Sequence, residues 1–449
     1  MIRGDLPVSG ADRTVKEQTT VASGSFPTLT VQRSTEQLEI FELNSARITI
    51  GSDPACDIVD ETGTLAPRHA ELLAGGGDYL ISDCGSPDGC FVNGVILENS
   101  RVLRHDDVIQ LGEMILVYQL PVSGGNTIAR AARFDAGAFR ELAGKLERNI
   151  AQVFKGKPEV IRNLLVCLLA EGHLLLEDAP GVGKSMLAQA LARSIFSRYR
   201  RIQFTPDMMP SDVTGMNIYD SGSGKFRFMP GPIFGNVILA DEINRTTPRT
   251  QSSLLECMAE GAVTIDGVRR VLPRPFFVIA TQNPEDYHGT YPLPEPQLDR
   301  FMMRLSIGYP DAEAELEILS GSKNGNLLNT ISGVVRSNDV VCAQSLVRKI
   351  EVSDAIKSYI IAIAGATREH QALVNGCSPR ATLALMRACQ SLAACEERDY
   401  VTPEDVRRLY QVVLAHRLTL KLRWKAQWKS VANVLDDIVS RIELPNEKR

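Results

Sequence analysis

Residues 178–185 read DAPGVGKS, between the apolar run HLLLE and the helix-forming stretch MLAQALARSIF. A strand that ends in a glycine-rich turn and opens directly into a helix aims several backbone N–H groups at one point, where the helix dipole also favours negative charge. This segment therefore demands a layered α/β unit with an anion-binding turn at the carboxyl end of a strand. Gly181 and Gly183 let the backbone approach a triphosphate, within a cradle running Pro180, Gly181, Val182, Gly183, Lys184, Ser185 and Met186. Lys184 would reach the β- and γ-phosphates, and the Ser185 hydroxyl would sit on Mg²⁺. The strict spacing G-x-x-x-x-G-K-[ST] asks for glycine where this chain has Asp178. An ordinary loop containing GKS would lack the strand before it and the helix after it.

Further along, the apolar run Val237-Ile238-Leu239-Ala240 ends in Asp241-Glu242, the form of a buried parallel strand with carboxylates at its carboxyl end. Asp241 would hold Mg²⁺ through water, and Glu242 would orient the attacking water of a phosphoryl transfer. A third run, Phe276 to Ala280, leads into Thr281-Gln282-Asn283-Pro284, which puts the Asn283 amide at the same end. PLPEPQLDRF places Arg300 after several prolines, and Ser378-Pro379-Arg380 has the N-cap and N1 residues of a later helix. Taken singly, each of these arginines reads as a surface salt-bridge partner.

The stretches GHLLLEDAPGVGKS, RIQFTPDMMPSDVTG, FRFMPGPIF, LADEINRTTPRTQSSLLECM, VIATQNP and GTYPLPEPQLDRFMMRLSIGYP together resemble the MoxR family of AAA+ ATPases over residues 138–320. The resemblance implies that Lys184 and Ser185 belong to Walker A, that Asp241 and Glu242 form Walker B, and that Asn283 is sensor 1. Arg300 would be the arginine finger inserted into a neighbouring subunit's site, and Arg380 would be sensor 2 on the lid. It further implies an ATP- and Mg²⁺-dependent homo-oligomer, a ring of six, acting as a chaperone on client proteins together with von Willebrand factor A-domain partners. Other readings are a nucleic-acid motor, since related ATPases translocate on DNA, and a scaffold whose ATP site controls assembly alone.

Met216 to Pro230, MNIYDSGSGKFRFMP, reads as a hairpin in the place of the helix-2 insert. Lys225, Phe226, Arg227 and Phe228 are its candidates for substrate contact near a pore, the alternative being a hairpin that packs on its own subunit. Residues 261–273, GAVTIDGVRRVLP, form a second expected hairpin with Asp266-Gly267 at its turn.

From residue 28 to 121 the chain changes to short β-rich runs separated by Gly, Asp, Asn and Pro turns, the pattern of an all-β sandwich. ARITIGSDPACDIV, RHAEL, GDYLISDCGSPDGCFVNG and LRHDDVIQLGEMILVYQL resemble a forkhead-associated (FHA) domain, a module usually recruited by phosphothreonine. Two of that pattern's phosphate-reading residues are missing: Gly51 is followed by Ser52, not Arg, and Ala66 stands where Ser usually precedes the histidine. His69 and Asn93 remain as its peptide-site candidates, able to support loop architecture or peptide-backbone contact, and His69 taken alone also reads as a structural histidine. Residues 28–121 hold five Lys or Arg against fifteen Asp or Glu. A dianionic phosphate prefers an arginine-rich pocket, so the expectation is a protein partner bound without a phosphate.

The expected organisation is multidomain: a tail at 1–27, an N-terminal all-β sandwich at 28–121, a linker at 122–134, a central α/β P-loop domain at 135–310, a C-terminal all-α lid at 311–420, and a basic, aromatic helical extension at 421–449. In that extension Trp424 and Trp428, four residues apart, would share a helix face and touch a membrane surface, a partner, the lid or an adjacent subunit. The net charge of −5 conceals a mildly basic ATPase half, too weak to argue for nucleic acid. Nine cysteines without a C-x-x-C pair read as reduced thiols of a cytoplasmic protein. No apolar run approaches the roughly 20 residues of a membrane span.

Overall fold

The computed structural model describes residues 27–445 except 33–37, 61–62, 76–77, 93–94, 98, 104–106, 113, 120–135, 222–224, 284–289, 322–327 and 329. The tail and linker expected from the sequence lie outside the described residues.

The N-terminal module is a β-sandwich. One sheet has the order β2 (Leu38–Glu42), β1 (Thr28–Gln32), β11 (Met114–Gln119), β10 (Asp107–Leu111), β7 (Cys90–Val92), β8 (Val95–Ile96). The other runs β4 (Ile58–Val59), β3 (Arg47–Gly51), β5 (Ala70–Gly75), β6 (Asp78–Asp83), β9 (Arg101–Val102). Strict alternation builds it: in MILVYQ every second residue is buried, which sends Met114, Leu116 and Tyr118 into the space between the sheets.

The central domain carries a five-stranded parallel sheet ordered β13 (Tyr199–Gln203), β16 (Val237–Asp241), β19 (Phe277–Gln282), β12 (Leu174–Glu177), β20 (Met303–Leu305). Both faces are covered, so its strands read as continuous apolar runs. The period of two then divides them: Leu174, Leu176, Leu239 and Ile279 join one core, and Leu175, Ile238, Ala240, Val278 and Ala280 join the other. The first core contains α1 (Ala136–Ala151), α2 (Pro158–Leu169) and α3 (Lys184–Ser194) and continues without a break into the C-terminal helices. The second is closed by α5 (Pro248–Glu260), which follows the short α4 (Pro210–Thr214).

Both hairpins form, as β14 (Gly215–Asp220) with β15 (Lys225–Pro230), and β17 (Ala262–Ile265) with β18 (Val268–Val271). Asp266 and Gly267 both have positive φ, which is what a two-residue turn matching the strand twist requires. Asn217 Nδ2 donates to Asp266 Oδ2 at 2.7 Å and ties the two hairpins together.

The β-sandwich is seated on these hairpins. Phe91 of β7 leaves its own core and packs among Phe228 and Phe234, with ring centres 5.9 and 6.4 Å away. The buried Arg270 guanidinium lies 3.9 Å from the Phe228 ring centre and 5.4 Å from that of Phe91. Gln110 of β10 donates to Arg269 O at 2.8 Å and accepts from Val271 N at 3.0 Å, so one amide grips β18 on both sides of Arg270. A desolvated cation over an aromatic face contributes about 2 kcal/mol. Phe228 therefore belongs to a seam inside the chain and is not available to a substrate, contrary to the sequence expectation. Hairpin alternation explains the error: Asn217, Phe228, Tyr219 and Phe226 share a face whose base is covered and whose tip is open. Phe226 stays exposed and meets Tyr219 edge-on at 5.4 Å. The side chains of Lys225 and Arg227 lie outside the described residues.

After β20 come α6's successors in the lid: α7 (Ala312–Gly321), α8 (Ser337–Val347), α9 (Asp354–Glu369), α10 (Pro379–Cys395), α11 (Pro403–Leu414) and α12 (Val431–Arg441), α6 itself being the short Glu295–Leu298 turn before β20. Residues 431–441 pack into this bundle as α12, whereas most of 422–430 lies at its surface. Val434, Leu435, Ile438 and Val439 of α12 are core residues. The stretch 422–424 is a 3₁₀ turn, not an α-helix, and Trp424 and Trp428 pack partly buried against the same core. Trp428 also meets His370 edge-on at 5.9 Å.

Candidate nucleotide site

The carboxyl ends of β12, β16 and β19 converge, as adjacent parallel strands must. At β12 the chain turns through Gly181 and Gly183, with φ of +86° and +97°, a region that side chains with a Cβ rarely adopt. A Cβ on Gly183 would lie 3.3 Å from the Phe154 ring, whereas Gly181 faces open space. Lys184, the first residue of α3, donates to Asp178 O at 2.8 Å. Burial pulls its ammonium below the ordinary lysine range, and the Asp178, Asp241 and Glu242 carboxylates oppose that pull.

Asp178 departs from the strict motif for a visible reason. Its carboxylate accepts from Ser306 Oγ at 2.9 Å, from Ile307 N and from Gly308 N at 3.2 Å, so it staples the cradle to the segment leaving β20. A glycine there would leave three donors without this partner.

Asp241 ends β16 almost completely buried. Its Oδ1 accepts from Thr281 Oγ1 at 2.6 Å, and its Oδ2 accepts from Arg201 Nε and Nη2 at 3.1 and 2.5 Å. Glu242 has φ of +56°, a strained conformation for a residue with a side chain, and is fixed by its N–H to Thr281 Oγ1 at 2.9 Å. Its Oε2 accepts from Gln203 Nε2 at 2.8 Å and pairs with Arg245 at 3.2 Å. Asn283 directly follows β19 and is half-buried at this same end. The sequence reading missed Thr281, Arg201 and Gln203. Their only signal is strand parity: Arg201 and Gln203 lie two apart at the end of β13 and share a face toward Asp241 and Glu242.

Known proteins share this arrangement in order and in sequence. Residues 173–303 match the ATPase family associated with various cellular activities (AAA), 365–441 the AAA lid domain and 48–112 the FHA domain. The YeaC protein of Bacillus subtilis is 46% identical over 307 residues, 68% of this chain and 96% of that one. The chaperone MoxR1 of Mycobacterium tuberculosis is 37% identical over 343 residues, 73% of this chain and 90% of that one. The chain belongs to the MoxR family of AAA+ ATPases. A crystal structure of a Cytophaga hutchinsonii protein named as an ATPase superposes with a TM-score of 0.66 at 36% identity, covering 71% of this MoxR protein and 99% of that chain.

In this MoxR ATPase one candidate arginine faces the carboxylate that directly precedes the other in the chain. Arg300 follows Asp299 in the segment after α6, and Arg380, near the start of α10, has its Nε 4.0 Å from Asp299 Oδ2. Arg380 is exposed and Arg300 half-buried. The fit to a nucleotide rests on the cradle itself: a positive-φ glycine turn, the first-turn N–H groups of α3 and a lysine near the Asp178, Asp241 and Glu242 carboxylates. Ser185 and Asp241 are an oxygen donor set suited to Mg²⁺.

The FHA module of this MoxR protein treats its candidates differently. His69 is fully buried, its Nδ1 accepting from Ala66 N and its Nε2–H donating to Gly89 O, both at 3.3 Å. Burial lowers its pKa, which keeps it neutral as that bonding requires. It braces two loops from behind and cannot touch a peptide, contrary to its place among the peptide-site candidates. Asn93 lies outside the described residues. An open cavity of about 470 Å³ is lined by Ser82, Asp83, Ser86, Gly89, Ile96 and Asn99 among others, with no arginine or lysine among its described lining residues. Arg47 and Arg68 are both committed to Glu71. Among the described residues no helix is long and apolar enough to cross a membrane.

Proposed function

We propose that this MoxR protein is a Mg²⁺-dependent ring ATPase, a hexamer, that remodels or matures client protein complexes with von Willebrand factor A-domain partners. The observation that carries the reading is the convergence of Lys184, Asp241, Glu242 and Asn283 at one end of the sheet, with Arg300 on a segment bonded to the lid. Lys184 and the N–H groups of residues 181–186 would bind the β- and γ-phosphates, and Ser185 and Asp241 would hold the metal. Bound there, Mg²⁺ would neutralise charge that develops on the phosphates. Glu242 holds and polarises the attacking water once Gln203 releases its Oε2. Arg300 serves the site of the adjacent subunit, as an arginine supplied in trans does in phosphoryl transfer. Arg380, whose guanidinium faces Asp299, the residue before Arg300, acts at the same edge. Nine free thiols favour a cytoplasmic location. Tyr219 and Phe226, exposed at the hairpin tip, are the apolar groups offered to clients.

The test is ATP hydrolysis measured against protein concentration, with Glu242→Gln as the blank. A specific rate that climbs with concentration supports sites completed between subunits; a rate independent of concentration, or none above the blank, overturns the reading.

The FHA-like module binds its protein partner without a phosphate, a reading supported by the absence of basic groups around its described cavity. A threonine peptide from that partner and its phosphorylated twin are expected to bind equally in titration calorimetry. Tighter binding of the phosphorylated twin by tenfold or more would refute this.

A further inference from the structure

The segment Glu295–Phe301 carries Arg300, and the lid holds it from both sides. Glu295 accepts from Asn375 Nδ2 at 3.1 Å and from Thr419 Oγ1 at 2.6 Å. Asp299 accepts from Ser378 Oγ at 3.2 Å. The decisive group is Arg417, whose side chain is 3% exposed. Its Nη1 donates to Asp299 Oδ1 at 2.9 Å and its Nη2 donates to Phe301 O at 2.7 Å. One guanidinium thus clamps the residue before Arg300 and the residue after it. His416 reinforces the clamp, with its Nε2 3.0 Å from Phe301 O.

We infer that Arg417 is the positioning residue of the arginine finger: a lid group that fixes where Arg300 points and so lets lid movement in one subunit adjust catalysis in the next. Three physical facts lead there. A buried guanidinium needs its carboxylate, because an unpaired buried charge is costly, so Arg417 and Asp299 move together. A guanidinium spans two acceptors in a fixed plane, which a lysine ammonium cannot do. A finger acts by placement, and a displacement of about 1 Å at a catalytic group costs on the order of 10²-fold in rate. The same Asp299 receives Ser378, the N-cap whose hydroxyl also accepts from Ala381 N at the start of α10. The helix that carries Arg380 and the turn that carries Arg300 are therefore joined through one carboxylate.

This inference rests on the reading of Arg300 as a finger acting in trans, and the experiment separates the two. Arg417→Lys and Arg300→Ala are each assayed as full-length protein, alone and mixed with Glu242→Gln subunits, beside binding of a fluorescent ATP analogue. Arg417→Lys is expected to lose about 10- to 100-fold in kcat with analogue affinity within about twofold. Mixing should raise its turnover well above either parent, since Glu242→Gln subunits lend it intact fingers. The double variant Arg300→Ala/Arg417→Lys should be no slower than Arg300→Ala. If Arg300→Ala recovers on mixing while Arg417→Lys keeps full kcat, or loses kcat and does not recover, the positioning role is wrong. If Arg300→Ala itself fails to recover, the trans reading has failed instead. Should Arg417→Lys not fold, Asp299→Asn takes its place in the same assay with the same expected outcomes.

Discussion

Glu242→Gln is expected to bind ATP with unchanged affinity and to turn it over about 10²–10⁴-fold more slowly, the range of a positioned general base. The substitution leaves an acceptor for Gln203, the strained backbone at φ +56° and the N–H bond to Thr281 in place, so what is lost is the negative charge beside the water and with it the exposed ion pair to Arg245. Lys184→Ala makes the complementary change. It removes a charged donor from a partly buried position, an interaction worth about 1.5–3 kcal/mol, and should weaken ATP binding by roughly 10- to 100-fold. Fluorescent-analogue titration with single-turnover hydrolysis distinguishes the two. Loss of binding in Glu242→Gln, or tight binding with slow turnover in Lys184→Ala, would mean that their roles are misassigned.

Arg300→Ala should bind ATP normally and lose up to about 10³–10⁵ in rate, the contribution of an arginine supplied in trans. The residue lies on the segment that the lid grips, and the described bonds of Lys184 and Glu242 run to Asp178, Gln203, Thr281 and Arg245, so its removal leaves those contacts untouched. The diagnostic result is restoration. A subunit without its finger still has a working glutamate, and one carrying Glu242→Gln still has a working finger, so mixed rings contain complete sites. Steady-state phosphate release from an equal mixture, compared with each variant alone, reads this directly; a mixture no faster than its parents would place Arg300 in its own subunit's chemistry or in none.

How legible these features were depends on whether their parts lie close together in the chain. DAPGVGKS and VILADE are contiguous, and the physics that shapes them is local: a strand, a turn that needs positive φ, a helix start, a carboxylate at a strand end. The two hairpins were readable for the same reason, through DG and a glycine-rich turn. Asp178 looked like a flaw because the donors that explain it, Ser306 to Gly308, follow β20. Arg201 and Gln203 gave no signal beyond strand parity, because only the pairing of β13 with β16 brings them to Asp241 and Glu242. Arg417 was invisible since nothing in LAHRL points to Arg300. For Phe228 and His69 the sequence left a contact role and a packing role open, and burial, set by strand parity and by loops that fold over afterwards, gives them the packing role. The tryptophan segment was read with helical spacing where the chain makes a 3₁₀ turn.

The seam at Arg270 sets the mechanical character of the N-terminal module. A domain joined only by a connecting segment swings on it, and the length of that segment fixes its reach. Here Gln110 holds both neighbours of Arg270, and Phe91 is wedged among the ATPase domain's own aromatics. The module is a mount and not a tether: its bearing on the two hairpins is dictated by the seam, and the length of residues 122–134 is left free to vary without altering where a captured partner stands.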